Sequence, residues 1–181
     1  MRHVLFGFDR IVAILSRAGA ALGALALLVS LGLIAYAIVL RYVFNQPPTW
    51  VDEMVGYLLV ATVMAAAADA LRQGEHIAVD VLTERLSARN RRIVAAFGLA
   101  ASAVVGVFLV REGWSMVAFS RMVGEISTGH LEVPMAWPQM LVPAGGVLLT
   151  LAALAGLGRM ALGLSPVVDE EEDAATPERD R

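Results

Sequence analysis

The chain has 181 residues, 58% of them hydrophobic and 17% charged, with a formal net charge of −3 and a mean hydropathy of +0.69. That is too apolar for an ordinary water-soluble domain, and neither the charge nor any basic stripe outside the segment between the second and third apolar runs points to nucleic acid. Cysteine is absent, which excludes disulfides, thiolate metal sites and thiol catalysis, and the length fits one domain.

Four apolar runs reach membrane length, against the roughly 20 residues a helix needs to cross a bilayer core. The first, Gly19 to Leu40, is free of charge. Ala35-Tyr36-Ala37 imitates a signal-cleavage site, but the run continues beyond it, so an uncleaved anchor is expected. The second run, between Glu53 and Asp69, predicts a helix over 51–71. The third covers Ile93 to Val110 and predicts a helix over 93–115, with scope to continue past Arg111 and Glu112 toward Met122. The fourth predicts a helix over 135–158. None of the runs alternates as a membrane β-strand would, so helices are the spanning structure. The fold class is an all-α membrane protein with four transmembrane helices.

Arginine sets the expected orientation, lysine being absent. Arg2, Arg10, Arg17, Arg72, Arg85, Arg89, Arg91, Arg92 and Arg159 fall on one side, against Arg41, Arg111 and Arg121 on the other. That imbalance predicts both termini in the cytoplasm. Between the second and third spans, Ala78, Val79, Leu82, Leu86 and Ile93 share one side of a helical wheel, opposite Asp80, Glu84, Ser87 and Arg91. An amphipathic helix over 76–92, lying in the membrane interface, is therefore expected. The membrane domain is read as 1–165. Residues 166–181, acidic and poor in apolar groups, are expected to be a disordered tail.

The polar residues at the ends of the runs allow several readings. Asp52 and Glu53 open the second helix, where the backbone dipole favours carboxylates, and Arg41 closes the first helix close by. The plain reading is a helix cap and a staple across the turn. A contact with a partner protein is the sharper one, and an ion or proton site suits them least, since both acids lie at the membrane edge. Trp50 is expected to anchor at the headgroup level. Asp69 stands three residues before Arg72, a spacing at which helical side chains meet, so a local pair is expected. Arg111 and Glu112 resemble that arrangement at the outer end of the third helix. His3, His76 and His130 lie outside the apolar cores, which argues against haem ligation within the bundle. No nucleophile–base pair, phosphate-cradling loop or metal-spaced cluster is present, so neither a catalytic role nor a cofactor is expected.

Small residues form stripes: Gly19 and Gly23 on the first helix, Ala65 to Ala68 on the second, and Gly98, Ser102 and Gly106 on the third. Such stripes let helix backbones approach closely. They fit packing within this chain and a seam for another subunit equally well.

Three patches carry a family resemblance. The first is Arg41-Tyr-Val-Phe-Asn, followed by Pro48, Trp50, Asp52 and Glu53. The second is Arg72-Gln-Gly74-Glu-His76-Ile-Ala-Val-Asp80. The third is Val133-Pro134, Trp137, Pro143 and Gly145. In this order and at these spacings the chain, over roughly residues 10–160, resembles the DctQ-type small membrane subunit of tripartite ATP-independent periplasmic (TRAP) transporters.

The resemblance implies a non-catalytic permease subunit that scaffolds a large, elevator-type membrane subunit. It also implies a periplasmic substrate-binding protein as partner, and sodium-driven uptake of an organic acid across the bacterial inner membrane. It carries over no substrate site and assigns no role to His76 or Asp80. The small subunit of the unrelated tripartite tricarboxylate transporters is the nearest alternative, ahead of an independent four-helix transporter or a membrane-bound enzyme.

Overall fold

The computed structural model describes residues 2–74 and 88–165. All regular elements among them are helical: α1 (Arg2–Val43), α2 (Val51–Gln73), α3 (Ala88–Val123), α4 (Ala136–Gln139) and α5 (Leu141–Ala161). Four stretches are long and apolar enough to cross a membrane: Phe6–Val43, Val51–Gln73, Arg89–Val123 and Ala136–Ala161. Most of the predicted interfacial helix, with His76 and Asp80, lies outside the described residues, as does the acidic tail. Residues 88–92 belong to α3, because no proline interrupts the chain from there to Val123.

Two helices are longer than their apolar runs alone predict. At 42 residues, α1 measures roughly 63 Å along its axis. It begins well before Gly19 because Val12 and Ser16 continue the face that Gly19, Gly23 and Ser30 bury further along, at spacings of three, four and seven. Three helices stop at glycine: Gly74, Gly124 and Gly163 follow α2, α3 and α5 with φ of 81°, 67° and 82°. A side chain strains that left-handed conformation, whereas glycine adopts it freely. In α2 the Gly74 N–H returns to the carbonyls of Ala70 and Leu71.

The four long helices do not form a closed ring. α1 packs on α2, both touch α5, and α3 rests chiefly on α5. α5 is therefore the hub, and it is built for the task. Its buried positions include Gly145, Gly146, Leu149, Ala152, Ala153, Ala155 and Gly156. In lipid, helices associate by close contact rather than by escape from water, so small residues serve better than large ones.

The contacts are close. A Cβ added at Gly145 would meet the Met64 side chain of α2 at 2.6 Å, and one at Gly146 would meet the Gly106 carbonyl of α3 at 2.9 Å. Across the α1–α2 seam, a Cβ at Gly19 would lie 2.6 Å from the Ala65 carbonyl, and one at Gly23 would lie 3.0 Å from that of Thr62. Most of the small-residue stripes thus serve packing within the chain. Gly98 is the exception, with nothing within 4 Å of its added Cβ. Large apolar side chains, including Leu22, Leu28, Leu31, Val104 and Phe108, remain exposed on α1 and α3, as lipid-facing or partner-facing surfaces require.

Candidate functional site

Polar chemistry gathers at the two ends of the helices. At the arginine-rich end, Asp9 of α1 holds two guanidinium groups at once. Its Oδ1 accepts from Arg72 Nη1 of α2 at 2.8 Å, and its Oδ2 accepts from Arg159 Nη1 of α5 at 3.1 Å. All three side chains are largely shielded, at 15%, 7% and 12% exposure for Asp9, Arg72 and Arg159. One carboxylate thereby ties together the three helices that meet around the core. α3 reaches the same end through Arg92, whose Nη2 donates to the Gly163 carbonyl.

This arrangement overturns the expected Asp69–Arg72 pair. At the end of α2 the buried positions are Ala68, Leu71 and Arg72, so Arg72 points into the protein. Asp69 lies off that face and accepts instead from Gln73 Nε2 at 2.7 Å. Asp9 escapes a reading of the sequence that starts the first helix at Gly19. The signal for it is slight: a lone acid among Arg2, Arg10 and Arg17, one helical face from Val12 and Ser16.

At the opposite end, Glu53 of α2 captures the loop that joins α3 to α4. Its carboxylate accepts from the Tyr57 hydroxyl at 2.6 Å, from the Ser127 hydroxyl, and from the Leu131 N–H at 3.3 Å. The Gly129 N–H donates to Ser127 Oγ at 3.1 Å, and Glu53 occupies the space a Gly129 side chain would need. The loop doubles back on itself, with Ser127 N–H on the Val133 carbonyl and Met135 N–H on that of Glu125. Ser120 closes its base by donating to Glu125 Oε2. Glu53 and Tyr57 form one wall of a shallow recess of about 260 Å³, and Glu125 to Gly129 the other.

The expected staple between Arg41 and the two acids does not form. Arg41 is exposed in the last turn of α1, and Glu53 spends its carboxylate on the loop. Neither acid caps α2, whose N-cap is Trp50 without a side-chain hydrogen bond. Asp52 is exposed. Pro48 presents its carbonyl to the Val51 N–H at 3.5 Å. Pro134 forms an isolated bridge with Ile126 that shapes the captured loop. Pro143 sits in the first turn of α5, where its missing N–H costs little, and its ring faces Gly113 of α3 so closely that a Cβ there would meet it at 2.8 Å. Trp137 stands 72% exposed beside the loop. Arg111 and Glu112 form an exposed contact at 3.8 Å. Among the described residues no three His, Asp or Glu groups gather as a metal site.

Between the two ends three hydroxyls turn inward onto the backbone. Ser30 donates to the Ala26 carbonyl, Thr62 to those of Leu58 and Gly23, and Thr150 to that of Gly146. The architecture is thus four spans clamped at each end, with no acid or base in the uncharged runs between. The family model of the DctQ component of tripartite ATP-independent periplasmic transporters matches residues 30–163. The chain belongs to this DctQ family. It is also 31% identical, over 100 residues, to the C4-dicarboxylate TRAP transporter small permease protein DctQ of Rhodobacter capsulatus. That stretch is 55% of this chain and 44% of the relative, so the likeness spans less than half of the relative's length. The DctQ match includes Arg72 and Arg159 of the arginine-rich clamp and all of the Glu53 one, and begins after Asp9.

Proposed function

We propose that this DctQ-family chain is the non-catalytic small subunit of a TRAP transporter. In this reading it serves as a fixed scaffold for a large elevator-type membrane subunit, in sodium-driven uptake of an organic acid delivered by a periplasmic binding protein. It lies in the bacterial inner membrane with both termini cytoplasmic, so the Asp9 cluster faces inward and the Glu53 loop outward. The exposed motif residues, Trp137 above all, belong to surfaces that meet these partners. The segment between His76 and the start of α3 braces the structure along the cytoplasmic interface, and Leu82 and Leu86 hold the brace in lipid.

One observation carries the reading. The charged side chains that tie one element to another gather at the helix ends, while among the described residues the uncharged runs offer no acid or base with which to couple an ion to a substrate. A coupled transporter needs such a group within the membrane, whereas a frame does not. The family match favours this reading over the small subunit of a tricarboxylate transporter.

Affinity purification of the tagged chain in mild detergent is the test. A TRAP large subunit should come with it, and deletion of this chain should abolish organic-acid uptake in cells that keep the other components. Uptake by this chain alone in sealed vesicles would overturn the scaffold reading.

A further inference from the structure

We propose, resting on the scaffold reading, that the outward face of α3 around Arg111 and Glu112 is the seam with the large membrane subunit. A spanning segment of that subunit sets a carboxylate opposite Arg111.

Depth carries the assignment. Arg111 and Glu112 interrupt an otherwise uncharged stretch between Arg92 and Arg121. Just beyond them, a Cβ at Gly113 would meet the Pro143 nitrogen of α5 at 3.1 Å, and one at Gly145 would meet Met64 Cα of α2 at 3.0 Å. Pro143 and Gly145 are roughly 3 Å apart along the α5 axis, so the charged pair stands level with Met64. That residue lies near the middle of α2, a helix of 23 residues. The charged side chains at the ends of α2, Glu53 and Arg72, are roughly 16 and 12 Å away along its axis. α3 runs on to Val123, so the pair occupies mid-height and not the outer end of the helix. Raising it to the membrane surface would draw Arg72, Asp9 and Arg159 into a hydrocarbon core roughly 30 Å thick.

Lipid cannot answer these charges. Arg111 is 85% exposed and Glu112 52%, and their nearest atoms are 3.8 Å apart, too far for a hydrogen bond. Successive residues on a helix do not face each other, so each needs a partner of its own. Snorkelling relieves charges near helix ends, whereas ionised groups at mid-depth face protein or a water-filled cavity. Gly106 and Gly113 lie on the opposite face, pressed against α5, so the pair points away from the bundle and lines no path within this chain. Above and below Arg111, Val104, Phe108, Ser115 and Ala118 are all exposed, at the spacings of three and four that form a seam between helices. Ser115 and Ala118 let a second backbone come close. A second copy of this chain fits less well, because a two-fold axis along the membrane normal brings Arg111 level with Arg111 of the copy.

The experiment purifies the tagged chain in mild detergent from cells that also hold the large subunit. Arg111→Glu should cut the recovered large subunit about tenfold, the scale of one lost charge-assisted contact. Arg10→Glu, the same charge change on α1, should leave recovery unchanged. Because the chain lacks cysteine, Ser115→Cys can carry a single photoactivatable cross-linker, which should join the chain to the large subunit. If Arg111→Glu does not insert, Arg111→Gln and Ser115→Trp replace it, each expected to lower recovery. Wild-type recovery in all these variants, or a cross-link only to lipid or to a second copy, would overturn the seam and leave the scaffold reading standing. A wild-type chain that brings no large subunit would overturn both.

Discussion

Glu53 and Ser127, 74 positions apart in the chain, share a hydrogen bond that fastens the first turn of α2 to the loop after α3. Removing the carboxylate strands the Leu131 N–H and two hydroxyls in a partly closed space. Glu53→Ala should therefore cost about 1–3 kcal/mol of stability, and hydrogen exchange across 125–135 should quicken. Asp52→Ala, at an exposed position one residue away, should stay within about 0.5 kcal/mol. Equal effects from the two substitutions would remove Glu53 from the latch.

Gly129 supplies the space that Glu53 fills. A methyl group there should displace the carboxylate, so Gly129→Ala should reproduce much of the Glu53→Ala defect. Because both act on one contact, the double variant should be less destabilised than the sum of the two, by roughly 0.5 kcal/mol or more. Strict additivity in thermal unfolding would show that the two residues act separately.

The clamp at the other end makes a sharper distinction. Asp9→Ala leaves two shielded guanidinium groups without their shared partner, at an expected cost of about 3–5 kcal/mol. Asp69→Ala removes only a contact with exposed Gln73 and should cost less than about 1 kcal/mol. Thermal unfolding in detergent separates the two, and the reverse order would restore the local Asp69–Arg72 pair.

Close helix contact sets the fourth expectation. Gly19→Leu must push α1 away from the Ala65 carbonyl and should destabilise the α1–α2 seam by about 1–3 kcal/mol or more. Gly98→Ala meets open space and should be neutral within about 1 kcal/mol. If Gly98→Ala instead disrupts co-purification with a large subunit, that face of α3 is the seam between subunits.

Residues 76–92 yield a prediction from their pattern alone. Replacing Leu82 and Leu86 with Asp should weaken membrane seating or assembly, read by membrane fractionation and co-purification, since the apolar stripe there is expected to rest in the interface. Unchanged fractionation, co-purification and uptake would count against the brace.

The sequence by itself determined the class, the four spans and the family. Each follows from a local property: an uninterrupted apolar run or a motif read along the chain. Tertiary structure alone decided the partners. Asp9 meets Arg159 across 150 positions, and Glu53 reaches a loop at Ser127 rather than nearby Arg41. The Asp69–Arg72 expectation failed for the same reason, because spacing along a helix makes a contact available without saying which way the side chain faces. That direction was set by the packing of α2 against both α1 and α5, which puts Arg72 on the buried face beside Asp9. Helices in lipid choose neighbours by how closely their backbones can approach, a property of two surfaces together that neither strand of sequence carries alone.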